Sequence, residues 1–421
     1  MEAAATQGIG LYPDSNLMRQ PRSSPEISPP STIGRSEFQN ETTTLKKEQR
    51  QPSTRHPKIR EACFEDYTQI AALQSRNGLA TRSREEWAAL WIGNPVFEQR
   101  RGQWPIGWVL ETEGGALVGF IGNLPVAYSY RGQDLVAATG ISWVVDPGYR
   151  GYSMSLLGCI LRRKDVDFAI GTTISANAEQ GYRALGWSRV PVGAWDKSEF
   201  WITNYRGFSE SVLRMKSIPL SWALSYPAAA GLFLRDKITG PGMTADRSNS
   251  RIEPCGQFDS RFDDFWAELK HQNHNVLLAV RSRETLDWHF QYSLRRGKTW
   301  ILAFCEGSRL SAYAIFNRQD NPASHLQRVR LIDFQALRGF EAVLPVLLGW
   351  GLQKCREQGI HILESVGCWA VRPGLPKIPA PYSRTLPSWS YYYKANSPEL
   401  RTTLKDPAAW VPTSFDGDAS L

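Results

Sequence analysis

Ile141-Ser142-Trp143-Val144-Val145-Asp146-Pro147-Gly148-Tyr149-Arg150-Gly151-Tyr152-Ser153-Met154-Ser155-Leu156-Leu157 is the stretch whose reading decides the fold. An apolar β-run through Val145 meets a Pro-Gly turn, and small residues at alternate positions then open an apolar helix. Backbone N–H groups at such a helix start point at one spot with the helix dipole behind them. That geometry binds phosphate. Arg150 at the lip adds a permanent positive charge that suits a diphosphate. The same residues also make an ordinary strand–turn–helix with a solvated arginine, and the turn alone does not separate the two readings.

Working outward, the pattern predicts helix over 64–77 and a second helix start at Ser83, with Glu86 three residues on as in a capping box. Strand-like runs at 107–111, 116–130 and 135–145 are separated by turns at Glu113-Gly114-Gly115 and Arg131-Gly132-Gln133-Asp134, which predicts an antiparallel meander. Helix is expected over 151–164, strand over 167–171, and helix over 176–184 ending at Gly186, a residue suited to the position just past a helix C-terminus. Strand, helix, strand in that order implies a parallel pairing in the second half of the sheet.

The same order recurs downstream, offset by roughly 190 to 200 residues, as an internal repeat. Ser282-Arg283-Glu284 with Trp288 echoes Ser83-Arg84-Glu85 with Trp87. Strands at 300–304, 310–316 and 329–336 echo the meander, followed by helix over 340–355 and strand over 360–366. The repeat of the decisive turn is missing: Gln335-Ala336-Leu337-Arg338-Gly339-Phe340 has one glycine and no comparable pattern. The expected fold class is α+β, a mixed antiparallel and parallel sheet flanked by helices, in two tandem units. The expected divisions are a disordered tail at 1–57, a first unit at 58–205, a helical linker at 206–250, a degenerate second unit at 251–396 and a C-terminal tail at 397–421. Residues 1–57 carry many Pro, Ser and Thr and no Trp, too little apolar surface to offset the entropy of ordering.

The whole chain agrees with a globular enzyme. Its 421 residues leave room for two domains, and 42% hydrophobic residues with sixteen Trp build large cores. The net charge of +8 is scattered, without a run that marks a nucleic-acid arm, and suits an anionic ligand equally well. The six Cys stand singly, so neither zinc site nor disulfide framework is indicated and a reducing cytoplasm is expected. The uncharged stretch 218–234 is short for a bilayer and holds Pro219 and Pro227, which favours a buried or domain-bridging helix pair over a membrane span.

The 141–157 stretch resembles motif A of the GCN5-related N-acetyltransferase (GNAT) superfamily, in which a strand precedes Gln/Arg-x-x-Gly-x-Gly/Ala. Here it reads Arg150-x-x-Ser153-x-Ser155, with serine at both glycine positions. Ala178, Tyr182, Leu185, Gly186 and Trp187 resemble the family's downstream helix Asn-x-x-Ala-x-x-x-Tyr-x-x-Leu-Gly-Phe, with Ser175 where Asn is common. The two motifs stand in the family's order within 58–205.

The resemblance implies a V-shaped opening between the strands that end near Val145 and Gly171, with acetyl-CoA or another acyl-CoA as co-substrate and no metal. It places Trp143, Val144 and Val145 along the pantetheine, and Arg150, Gly151, Tyr152, Ser153, Met154 and Ser155 around the pyrophosphate. A backbone N–H on the first strand would stabilise the oxyanion as an acceptor amine attacks the thioester directly. Tyr182 matches the position of the family's general acid; its alternative is a core tyrosine that closes helix onto sheet. No carboxylate stands on the strand before the turn, so the base is sought in a water held by Thr139 or Ser142, or in Asp333 of the second unit, which reads equally as a salt-bridged strand end. Asn123 is the candidate for holding the acceptor, and the competing reading is a strand bulge beside Gly122 and Pro125.

The run Trp389-Ser390-Tyr391-Tyr392-Tyr393-Lys394 reads as a final buried strand, with base or sugar stacking as the alternative, and Asp416-Gly417-Asp418 as a solvated terminus. The function expected is acyl transfer to a small-molecule amine, an amino sugar or amino-acid derivative. The alternative is a non-catalytic GNAT-fold binding or scaffold protein. No nucleic acid and no stable membrane insertion are expected, and a homodimer is compatible with the reading.

Overall fold

The computed structural model describes residues 56–239, 251–367, 369, 372 and 374–421. The expected disordered tail lies outside the described residues except for its last two positions, as does the stretch 240–250 of the expected linker.

The first half of the chain forms β1 (Lys58–Glu61), α1 (Tyr67–Arg76), α2 (Arg84–Ala88), α3 (Pro95–Gln99), β2 (Gly107–Glu111), β3 (Leu117–Tyr130), β4 (Gln133–Val145), α4 (Ser153–Leu161), β5 (Phe168–Ile174), α5 (Ala176–Ala184) and β6 (Ser188–Arg189). Local chemistry sets these boundaries. Ser83 caps α2 in a reciprocal capping box with Glu86. The β3–β4 hairpin turns on Arg131 and Gly132, both at positive φ, the backbone that a two-residue turn between twisted strands demands. Gly186 at φ 76° stops the chain just past α5. One boundary differs from expectation: residues Pro147–Tyr152 form a 3₁₀ turn, so α4 starts at Ser153 and not at Gly151.

The second half forms β7 (Lys197–Ile202), α6 (Tyr205–Met215), α7 (Ser221–Thr239), β8 (Ile252–Cys255), α8 (Ser260–Gln272), β9 (Leu278–Ala279), α9 (Arg283–Arg295), β10 (Thr299–Glu306), β11 (Arg309–Arg318), β12 (Arg328–Ala336), α10 (Leu344–Glu357), β13 (Ile362–Val366), β14 (Tyr382–Thr385), β15 (Ser390–Ala395) and α11 (Pro398–Thr403). The repeat is visible in the topology: β2-β3-β4 and β10-β11-β12 are antiparallel meanders, and in each the third strand pairs parallel with the strand that follows its helix.

The two mixed sheets exchange strands. The first runs β1-β2-β3-β4-β5-β15-β6, and the second runs β14-β7-β13-β12-β11-β10-β8. A cut at 205/206 therefore does not follow the sheet boundary, because β7 pairs with β13 and β14 while β15 pairs with β5 and β6. One core cluster joins Tyr128 and Phe168 of the first sheet to Phe262, Phe290 and Tyr313 of the second lobe and to Tyr391, Trp410 and Phe415 near the C-terminus. Each such side chain contributes about 1.5–3 kcal/mol on burial, so the lobes stabilise each other.

Two further expectations are corrected. The segment 397–421 is not a solvated tail: Trp410, Phe415 and Asp416 are buried between the lobes, where aromatic side chains find apolar partners from both sheets. The stretch 218–234 does form part of a helix pair, but α7 is exposed along most of its length rather than buried.

Candidate functional site

β4 and β5 pair only at Ala137–Phe168, Ala138–Ala169 and Thr139–Ile170. Beyond Thr139 the strands diverge, and residues 140–145 of β4 face an opening with no strand opposite. The divergence coincides with a bulge. Gly122 pairs with Ile141 and Phe120 with Val144, so Ser142 and Trp143 together oppose Ile121. Ser142 takes φ 56°, a left-handed conformation that a residue with a Cβ adopts at a cost of about 1–3 kcal/mol. Strain of that kind persists where surrounding structure enforces it, here at the mouth of the opening. The indole Nε1 of Trp143 and the Oγ1 of Thr139 are buried there without a hydrogen-bond partner among the described residues. Buried polar groups ordinarily find a hydrogen-bond partner, so these two mark an unsatisfied stretch of the strand.

At the end of β4, Asp146 accepts from Arg76 at 2.6 Å and from Asn77 at 2.8 Å, which locks the turn onto α1. Burial alone would raise its carboxyl, and the Arg76 and Asn77 hydrogen bonds outweigh burial and hold it low. The turn itself is open. A Cβ on Gly148 or Gly151 would meet nothing within 4 Å, and Arg150 is exposed with no ion-pair partner among the described residues. Ser153 and Ser155 stand in the first turn of α4. Tyr152 is tied by its hydroxyl to His56 at 2.5 Å. Met154 packs against α5, where a Cβ on Gly181 would come within 2.9 Å of its sulfur.

That contact sets α5 over the opening and brings Tyr182 to it. Tyr182 is buried, edge-on to Trp143 at 6.1 Å and to Trp187 at 4.9 Å between ring centres. Burial, with the Asp418 carboxylate adding to it, pushes the phenol far up, so it stays protonated at every physiological pH. The structure thus brings together Trp143, Val144, Val145, the 150–155 turn and Tyr182.

Asn123 is placed elsewhere. Its side chain donates to the Pro105 carbonyl at 2.8 Å, and its backbone carbonyl accepts from the indoles of Trp91 and Trp104. These contacts pin the loop before β2. Asp333 is likewise structural: it is fully buried, 2.8 Å from the buried Arg281, and accepts from Tyr313 and Thr413. Burial would raise its carboxyl, and Arg281 with the Gln335 and Thr413 hydrogen bonds holds it low.

The carboxylate that reaches the opening is Asp418, within the segment read from sequence as a solvated terminus. Both Thr172 and Thr173 on β5 donate to it, the latter at 2.9 Å. Gly417 at φ 61° allows this approach, since a Cβ there would lie 2.7 Å from Thr172 Cγ2. Burial pushes the Asp418 carboxyl up despite these hydrogen bonds. The Thr172-Thr173 pair interrupts an otherwise apolar strand and was the one sequence signal of a polar partner. Asp418, Thr173, Ile141 and Ser142 border a cavity of about 750 Å³ between the lobes, whose far wall includes Trp288, His289 and Arg330. His289 accepts or donates at 2.8 Å to Ser420, and burial lowers its pKa to about 3, so it stays neutral.

No protein-family model and no curated protein matches the sequence. Among solved structures, Saccharomyces cerevisiae N-myristoyltransferase with bound myristoyl-CoA superposes with a TM-score of 0.50 at 9% identity, over 83% of this chain and 81% of that one. A GCN5-related N-acetyltransferase from Anabaena variabilis aligns at TM-score 0.46 and 14% identity, over 80% of this chain and 72% of that one. One from Kribbella flavida aligns at 0.48 and 11%, over 80% and 71%. At such identities the likeness to the yeast enzyme establishes the fold alone, a pair of mixed sheets that spans both lobes.

Proposed function

We propose, on the premise of that GNAT-like fold, that this protein is an acyl-CoA-dependent acyltransferase that moves an acyl group directly to an amine acceptor. One observation carries the reading. The open edge of β4, with its bulge at Ser142–Trp143 and unpartnered Trp143 indole, runs without interruption into the open turn at Arg150. A pantetheine arm laid along residues 143–145 puts its amides beside free backbone and its diphosphate at the start of α4, where backbone N–H groups and Arg150 supply positive charge. Serine in place of glycine at 153 and 155 keeps the approach open and adds hydroxyl donors.

The acceptor enters from the cavity between the lobes. Asp418, held by two threonine hydroxyls and raised by burial, is the base that takes the amine proton. His289 lines the same cavity, but burial lowers its pKa to about 3 while burial raises the Asp418 carboxyl, so the carboxylate is the stronger base. A backbone N–H at the bulge stabilises the oxyanion that forms as the thioester carbonyl is attacked. Tyr182 donates a hydrogen bond to the departing sulfur. Its phenol is too weak an acid to give up the proton fully to a thiolate whose thiol has pKa near 8.5, so its contribution is electrostatic. Acetyl is the acyl group proposed, and an amino sugar or amino-acid derivative the acceptor, in a cytoplasmic setting.

The test is a thermal melt with acetyl-CoA, followed by amine-dependent release of free CoA thiol across an acceptor panel. Acetyl-CoA, or a longer acyl-CoA, is expected to raise Tm. No shift with any acyl-CoA would sink the enzyme reading in favour of a scaffold.

A further inference from the structure

Seven of the eight large apolar side chains left exposed among the described residues lie between Leu220 and Ile238, with Ile92 the exception. Trp222 is 59% exposed, Leu234 61% and Ile238 75%. They belong to α7, which packs on α6 and is tied at its far end where Tyr205 and Tyr382 both donate to Asp236 at 3.0 and 2.8 Å. At the same end Arg235 donates to the Pro381 carbonyl at 3.2 Å and stands over the Tyr382 ring, while Trp222, Leu224 and Leu234 stay largely exposed.

The arrangement of these side chains says what covers them. Trp222, Leu224 and Tyr226 are spaced by two residues, which on a helix of 3.6 residues per turn puts successive members on opposite sides. On the side that α6 leaves free, α7 is therefore apolar over a face broader than one stripe. A narrow stripe fits a partner helix; a broad apolar face fits a continuous apolar medium. From Ser221 to Leu234 it carries no charge, a run of about 21 Å at 1.5 Å per residue. The hydrocarbon core of a bilayer is about 30 Å thick, and no helix among the described residues is long and apolar enough to cross it. A run of this length fits an interfacial or half-inserted segment.

Charge completes the match. The hairpin's five cations, Arg206, Arg214, Lys216, Arg235 and Lys237, are all exposed and bracket the apolar run at both ends. Its two acids are engaged, Glu210 by Arg214 at 2.6 Å and Asp236 by the two tyrosines. Five cations against two acids leave +3 around an apolar centre. Trp222 and Tyr226 are the amphipathic aromatics that favour the headgroup level, and Arg206 stands 4.3 Å over the Tyr226 ring.

We propose that the α6–α7 hairpin seats in one leaflet of an anionic lipid membrane, with α7 lying in the plane of the interface and its cations at the headgroups. This revises the expectation of no stable membrane insertion, since a helix expected to be buried in protein is presented to solvent. The inference is independent of the transferase chemistry.

Co-sedimentation of the full chain with vesicles tests it, using phosphatidylcholine alone and phosphatidylcholine with about one third phosphatidylglycerol. The protein is expected to pellet with anionic vesicles at least tenfold more than with neutral ones. The triple substitution W222S/L224S/L234S is expected to abolish pelleting at unchanged Tm, these side chains being exposed. K216E/K237E is expected to remove the preference for phosphatidylglycerol alone. Failure of the wild-type chain to pellet with either vesicle overturns the proposal. So does a change from dimer to monomer in the triple variant without lipid, which would make the surface a contact between two copies.

Discussion

The two lobes share one plan and differ at one place, the strand edge that the meander leaves open. In the first lobe β4 bulges at Ser142–Trp143 and parts from β5 after Thr139. In the second, β12 bulges at Ile332 between the pairs Ile315–Asp333 and Phe316–Leu331, and parts from β13 after Leu331. The first edge carries Trp143, whose indole N–H has no partner among the described residues, and opens onto the turn at Arg150. The second carries Asp333, and the protein satisfies the polar groups of that edge itself: Arg281 pairs with Asp333, Thr413 donates to it, and Arg372 donates to the Phe334 carbonyl at 3.4 Å. The same scaffold is thus a candidate site where its edge is left unsatisfied and a cornerstone where an ion pair satisfies it.

The largest effect follows from opening the closed edge. Arg281→Met leaves Asp333 buried without its counter-charge and is expected to cost about 3–5 kcal/mol in denaturant unfolding. A loss under 1 kcal/mol would mean that the second edge is not held by this pair.

Next comes the carboxylate that the C-terminal segment delivers to the open edge. Asp418→Asn is expected to lower kcat about 100-fold. In the unsubstituted protein kcat/KM should rise with pH through a carboxyl value above the ordinary 3.8, because the base works deprotonated. That limb should vanish in the variant.

Asp416, two residues earlier, faces the closed side. Burial pushes its carboxyl up to about 6. The folded form therefore binds the proton more tightly than the unfolded one, and the associated stability is full below about pH 4 and lost as pH rises through 6. Unfolding free energies at pH 4.5 and 7 should differ by on the order of 2 kcal/mol from this group, a difference that Asp416→Asn removes.

The smallest contrast compares the turns. Arg150→Glu is expected to weaken CoA binding about tenfold by calorimetric titration, while Arg338→Glu, in the corresponding turn after β12, leaves it within about twofold. Equal losses would show that the open turn is not the diphosphate site.

Much of this was legible beforehand because it is encoded over short range. The meander, the capping box at Ser83, the stop at Gly186 and the internal repeat depend on periodicity, caps and turns of a few residues, and the structure has them where the pattern put them. The course of 141–157 was legible for the same reason, to within the two residues by which the 3₁₀ turn delays α4. Asn123 was open to a cleft-side or a structural reading, and only its bond to the Pro105 carbonyl shows where its side chain goes.

By itself the sequence determined the α+β class, the doubling of the unit and the place where the second copy loses its turn, since propensity and pattern act between near neighbours. Only the tertiary structure decided the strand exchange of β7 and β15, the burial of 397–421, the approach of Asp418 to Thr172 and Thr173 and the exposure of α7. Those rest on contacts between residues more than a hundred positions apart, or on the lack of them. A strand's alternation states that one face is buried but not which neighbour buries it, and an acidic Asp-Gly-Asp run looks the same whether water or two threonine hydroxyls receive it.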